Sequence, residues 1–172
     1  TRGREGIVRY DELGYLPLDE YDESVSKSLE YYYADFALAN LAEGLGETET
    51  AERLRARSLR FDELFDERTG VFWPRRADGT FEDTGSLTSV TMRSGPFTEG
   101  NAWHWRFYAL HAGDELAALL GGPEALGEAL ETFFERGAIG SEGTPQTTVP
   151  DLYYWHGNQP AIHSAFLFHA AG

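Results

Sequence analysis

Apolar positions recur at steps of three and four from Ser26 onward. Leu29, Tyr32, Tyr33 and Phe36, with Asn40 continuing the series, fall on one stripe of a helix. Ser26 is the expected N-cap, and the run Gly44–Leu45–Gly46 the expected stop. A second stripe, Leu54, Phe61 and Phe65, predicts a helix over Thr48–Phe65 with Arg and Glu on its other face. The helical period is then lost. Thr69–Gly70 and Asp78–Gly79 are turn signals on either side of Phe72 and Trp73, which predicts a long connection holding one short strand pair. Helical spacing returns over Asn101–Leu110 and Asp114–Leu120. It returns again from Pro123, a good first-turn residue, with Leu126, Leu130, Phe133 and Phe134 inward. Gly137–Trp155 is rich in Gly, Ser, Thr and Pro and reads as a loop, after which Pro160 opens a last helix.

The sum is an all-α chain with long loops and little strand. A compact bundle prefers short connections. Long, aromatic-rich loops between paired helices suit an α/α toroid, whose loops gather at one end and form a site.

Length adds that the 172 residues make one domain or part of a larger one. The start at Thr1 and the stop inside a helical-looking segment suggest a piece of a longer protein. Aromatics at 14% must line a core or a pocket. The formal net charge of −15 repels phosphate backbones and anionic lipids, so nucleic acid and membrane surface are poor partners, whereas a cation or a neutral ligand is easier to accommodate. With no cysteine there is neither a thiolate nucleophile nor Cys-bound zinc. No apolar run is long enough to cross a bilayer as a helix.

Two stretches stand apart. In Phe97–Trp105, "FTEGNAWHW", Glu99 precedes an expected helix start and two tryptophans. Free N–H groups at a helix start favour an ionised carboxylate. Desolvation beside aromatic surfaces favours the neutral, proton-donating acid instead. The two readings pull in opposite directions, and local sequence leaves both open. In "YYWHGNQP", Asn158 and Gln159 offer amide oxygens of the kind calcium accepts. They equally suit the cap of the helix opened by Pro160. Gly157 permits close approach of the chain. His104 and His111 are seven apart and His163 and His169 six apart, so neither pair has the four-residue step of a helical zinc site, and they read as structural. Trp73, Trp103, Trp105 and Trp155 fall near expected loop–helix junctions, where their faces suit either a core edge or the C–H face of a sugar.

The chain resembles the catalytic domain of glycoside hydrolase family 92, the calcium-dependent exo-acting α-mannosidases. The matching segments are "GYLPLDEYDESVSKSLEYYYADFALANLAEGLG", "GVFWPRRADGTF", "FTEGNAWHWRFYALHAGDELAALLGG" and "YYWHGNQPAIHSAFLFHAAG", in family order over nearly the whole chain. The resemblance implies a central part of an (α/α)6 barrel, residues 1–172, without the family's N-terminal β-sandwich and without its base-bearing aspartates. It implies inverting hydrolysis of terminal α-mannosides, with Glu99 as general acid in a dry, ring-walled niche. It implies calcium ligands at Asn158 and at Gln159, the ion binding sugar hydroxyls. Trp103, His156 and Arg75 are the expected sugar contacts. The expected partners are a mannose-containing glycan and the remainder of the same polypeptide. The expected location is the outside or surface of a bacterial cell.

One departure bears on the site: Gln159 stands where the family has glutamate. The lost charge should weaken metal binding. It also leaves room for a mannose-1-phosphodiester specificity, or for a carbohydrate-binding domain that has lost catalysis.

Overall fold

The computed structural model describes residues 3–83, 85, 95–139 and 152–172. These are mostly helical. The first helix, α1 (Ile7–Leu13), was not anticipated; it is bounded by Gly6 and Gly14, both left-handed. Gly14 closes α1 by donating its N–H to Tyr10 O, and its carbonyl accepts from the Tyr32 hydroxyl at 2.6 Å. A side chain at Gly14 would meet the Arg60 guanidinium at 2.5 Å, so both its φ of +89° and its surroundings require glycine.

The long helix α2 (Ser24–Gly44) begins two residues before the expected cap. Glu23 occupies the N-cap position with a φ of +57° and makes no side-chain cap bond. The open donors of the first turn are taken by a distant segment: Val25 N and Ser26 N both reach Pro96 O. Ser26 is not the cap; its hydroxyl accepts the Thr98 N–H at 2.9 Å. The start of α2 is thereby fastened to the residues that lead into Glu99.

The expected second helix is broken in two. α3 (Thr48–Ser58) folds back after the short connection Leu45–Glu47, and Arg60–Leu64 forms a 3-10 turn. Strands β1 (Phe65–Asp66) and β2 (Val71–Phe72) pair antiparallel across the Thr69–Gly70 turn, with Phe65 opposite Phe72. The Asp78–Gly79 turn carries a further antiparallel bridge, Arg75 to Phe81. Both turn signals are thus realised.

Helix α4 (Ala102–Trp105) stops five residues short of the expected Leu110. α5 (Gly113–Leu120) and α6 (Pro123–Ile139) follow the pattern, and Leu126, Leu130 and Phe133 are fully buried as expected. α6 includes Gly137, and most of the expected loop beyond it lies outside the described residues. α7 (Gln159–Ile162) carries Pro160 in its first turn and runs into a 3-10 segment, His163–Ala170. A core of buried aromatic and aliphatic residues, among them Tyr32, Phe61, Phe72, Phe107 and Phe133, joins these elements apart from α3. No helix among the described residues is long and apolar enough to cross a membrane.

Two half-buried histidines make stability depend on pH. His111 donates from Nε2 to Ser58 O at 2.9 Å, and its Nδ1 lies buried without a partner among the rings of Tyr33, Phe36 and Phe61. His163 makes the corresponding bond to Phe107 O. Burial lowers both imidazoles below the ordinary value of 6.5, against the smaller opposing effect of the carbonyl each one meets and, for His111, of Glu115. The unfolded chain therefore takes up protons first as pH falls. Their contribution is full above about pH 6.5 and is lost progressively below it, until the folded histidines also protonate. Melting temperature is expected to decline between about pH 6.5 and 5, and His111→Gln should flatten that decline; an unchanged slope would remove His111 from this role.

Candidate functional site

The segment around Glu99 is held by its neighbours in space. Asn101 caps α4: its Oδ1 accepts from Trp103 N and His104 N, while His104 Nδ1 accepts the Asn101 N–H, a capping box with histidine in the third position. The free N–H groups that sequence offered to Glu99 are thus occupied by Asn101, and the helix-terminus reading of Glu99 does not hold.

The same residues reach across to the second unusual stretch. Asn101 Nδ2 donates to Leu152 O at 3.0 Å, and His104 Nε2 meets Tyr153 O at 2.8 Å. Asn158 Nδ2 donates to the carbonyl of Glu99 at 2.5 Å. These bonds join residues 49 to 59 apart in sequence. Glu99 itself has a φ of +46°, a strained conformation for a residue with a Cβ, held by neighbours on both sides.

Glu99 and Gln159 line one cavity of about 250 Å³ with Glu30, Thr98, Trp105, Tyr108 and Pro160. Trp105 is buried and spends its indole N–H on Thr98 O at 3.0 Å. The expected ring walls are present as Trp105 and Tyr108. The expected enclosure is not: Glu99 is exposed at the cavity, as are Gln159 and Glu30. In this chain the dry niche is therefore open, and nothing among the described residues roofs it.

Asn158 is 2% exposed and stands at the N-cap position of α7, yet it makes no cap bond there. With Nδ2 committed to Glu99, its Oδ1 is buried with no hydrogen-bond partner. A buried amide oxygen without a donor is open to a water or an ion, and an amide oxygen is of the type calcium accepts. Calcium takes about six to eight oxygens. Among the described residues no three His, Asp or Glu side chains converge on a metal position. Asn158 thus fits as one ligand of such an ion, Gln159 lies on the adjoining cavity wall, and further ligands must come from elsewhere. Gly157 is required locally, since a Cβ there would meet the Trp155 ring at 2.6 Å.

The remaining expected contacts are scattered. Trp103 is half-buried against Tyr153, with the Arg106 guanidinium 5.0 Å from its ring centre. His156 is exposed and shares a 2.6 Å bond with the Tyr154 hydroxyl. Arg75 is committed to structure: it donates to Glu63 and to Gly79 O and lies between the rings of Tyr15 and Phe81. None of these three lines the cavity beside Glu99. Sequence reasoning passed over Glu30 and Tyr108. Their joining hydrogen bond spans 78 residues, which no local spacing reveals.

Comparison with known proteins gives the same frame. The fold matches a family 92 inverting mannosidase of Bacteroides thetaiotaomicron with a TM-score of 0.81 and 32% identity, over 96% of this chain and 23% of that one. A family 92 α-mannosidase of the same organism, solved with mannoimidazole, matches with a TM-score of 0.84 and 25% identity, over 99% of this chain and 23% of that one. A protein of Arthroderma benhamiae described as an uncharacterized secreted glycosidase is 26% identical, over all of this chain and 24% of its own length. The chain therefore spans about a quarter of the length of these relatives. All of residues 1–172 match the glycosyl hydrolase family 92 catalytic domain, and the chain belongs to that family.

Proposed function

We propose that this chain is the acid-bearing part of a secreted, calcium-assisted, inverting exo-α-mannosidase. The observation that carries the reading is the bond from Asn158 to the Glu99 carbonyl, which brings the two unusual stretches to one cavity. Glu99 protonates the leaving oxygen of a terminal mannoside docked there. Asn158 Oδ1, with Gln159 next to it in sequence on the cavity wall, would hold a calcium ion. Calcium, when bound, supplies positive charge that holds sugar hydroxyls and favours the flattened, oxocarbenium-like ring. Inversion further requires a carboxylate about 6.5–9.5 Å from the acid to activate water, and we assign that base to the remainder of the polypeptide. Trp105 and Tyr108 wall the cavity in which the sugar docks, and the 3-10 segment Arg60–Leu64 and the strand pair belong to the frame rather than to the chemistry.

The substrate test is a panel of α-mannosides, including a mannose-1-phosphodiester, with the full-length protein, with and without a chelator. Hydrolysis that chelator abolishes and calcium restores is expected; activity indifferent to chelator would overturn the calcium assignment. Preference for the phosphodiester would favour the second specificity, which rests on the uncharged Gln159 at the cavity wall. No hydrolysis of any member would favour a binding domain without catalysis. Asn158→Ala is expected to raise the calcium concentration needed for half-maximal activity by about tenfold or more, through loss of one of the ion's oxygen ligands. An unaltered calcium titration would take Asn158 out of the metal site.

A further inference from the structure

The cavity beside Glu99 has a second polar wall. Glu30 comes from α2 and Tyr108 from the turn after α4, and the Tyr108 hydroxyl donates to Glu30 Oε1 at 2.7 Å. The Tyr108 ring is fixed by Trp105 at 4.8 Å and by the edge of His163 at 5.3 Å. Burial, reinforced by the Glu30 carboxylate, pushes the phenol well above its ordinary range, so it keeps its proton at neutral pH.

The chemistry of this wall is one-sided. A carboxylate only accepts, and a phenol whose single proton is given to that carboxylate can only accept as well. Two nearby donors are already used, Trp105 Nε1 on Thr98 O and the Thr98 hydroxyl on Glu23 Oε1 at 2.8 Å, while the side-chain amide of Gln159, elsewhere on the cavity lining, carries N–H donors of its own. Neither Glu30 nor Glu99 forms an ion pair among the described residues. The Glu30–Tyr108 pair, which only accepts, is matched by a ligand that brings O–H groups, as the ring of a neutral sugar does.

We propose that Glu30, oriented by Tyr108, is a substrate-binding residue that accepts hydrogen bonds from ring hydroxyls of the sugar docked beside Glu99. The proposal rests on the glycosidase reading above and adds to it a residue pair that fixes the sugar's orientation. Glu30 binds substrate; Tyr108 positions Glu30.

The test uses the full-length enzyme, an aryl α-mannoside and its monodeoxy analogues. Glu30→Gln is expected to lower kcat/KM on the parent mannoside by about 10- to 100-fold, the size of a lost charge-assisted hydrogen bond. On the analogue lacking the hydroxyl that Glu30 holds, the loss should shrink to within about threefold. Tyr108→Phe leaves the carboxylate but frees its rotamer, so a smaller fall of about three- to tenfold is expected, mainly in KM. Loss of equal size on every deoxy analogue would mean that Glu30 acts only through structure and would overturn the proposal. So would a Glu30→Gln enzyme within twofold of wild type. Wild-type protein inactive on every mannoside would instead remove the mannosidase reading itself, and this proposal with it.

Discussion

In the full-length enzyme, Glu99→Gln is expected to cut turnover of an α-mannoside with a poor, alkoxide leaving group by about 10²–10⁴-fold, the usual contribution of a positioned general acid. A dinitrophenyl mannoside, whose leaving group departs without a proton, should lose far less. The substitution is close to isosteric. The Glu99 backbone is held at a φ of +46° and its carbonyl is fixed by Asn158, so the loop should keep its shape and the loss should fall on chemistry. The contrast between the two substrates decides the matter. If both fell by the same factor, or neither fell, Glu99 would not be the acid. The openness of the cavity gives a second use to the same variant. Glu99 is exposed in this chain, and a neutral carboxylic acid needs a drier setting. Activity that requires the rest of the polypeptide, and that the isolated 172-residue chain lacks, is therefore the expected pattern.

What could be read from the sequence divides by range. Helices α5 and α6 followed from spacing alone, because Leu116, Leu126, Leu130 and Phe133 are buried at helical intervals inside their own elements. α1 was readable too, from two glycines bounding "IVRYDEL", and was missed because its seven residues bury only Tyr10. The start of α2 was not readable. Its cap comes from Pro96 O, some seventy positions away, and Glu23 offers no side-chain cap of its own. The break after Ser58 is likewise tertiary in origin, since the Ser58 carbonyl is taken by His111. α4 ends early because Phe107, fully buried, packs at 5.2 Å on Phe133, and Tyr108 turns to meet Glu30. The resemblance named Glu99, Asn158 and Gln159, and the structure brings them to one place. It could not supply the acceptor wall of Glu30 and Tyr108, which exists only once α2 and the Glu99 segment are fastened together.

The frame that holds α2 rests on one buried carboxylate, and its removal is expected to be the costliest single change outside the cavity. Asp35 is fully buried. It accepts from Arg57 through both oxygens, at 2.6 and 3.0 Å, from Arg4 at 2.6 Å and from the Tyr10 hydroxyl at 3.0 Å. Asp35→Ala leaves the Arg57 guanidinium, whose side chain is 14% exposed, facing the gap with only the exposed Asp11 as counter-charge. It also leaves a fully buried phenol without its acceptor. The cost of breaking such a pair from one side is about 3–5 kcal/mol. For a unit of this size that corresponds to a fall in melting temperature of roughly 6–20 °C. Replacing the partners together, as Asp35→Leu with Arg4→Met, Arg57→Met and Tyr10→Phe, removes the stranded charges as well and should recover most of the loss. Asp35 and Glu30 are five positions apart on α2, roughly 140° around its axis, one buried and the other exposed. At low temperature, where Asp35→Ala protein remains folded, kcat/KM should therefore stay close to wild type. A melting temperature within about 2 °C of wild type would show that water replaces the carboxylate at no cost. A large fall in kcat/KM of the folded variant would show that the clamp and the cavity are mechanically one unit.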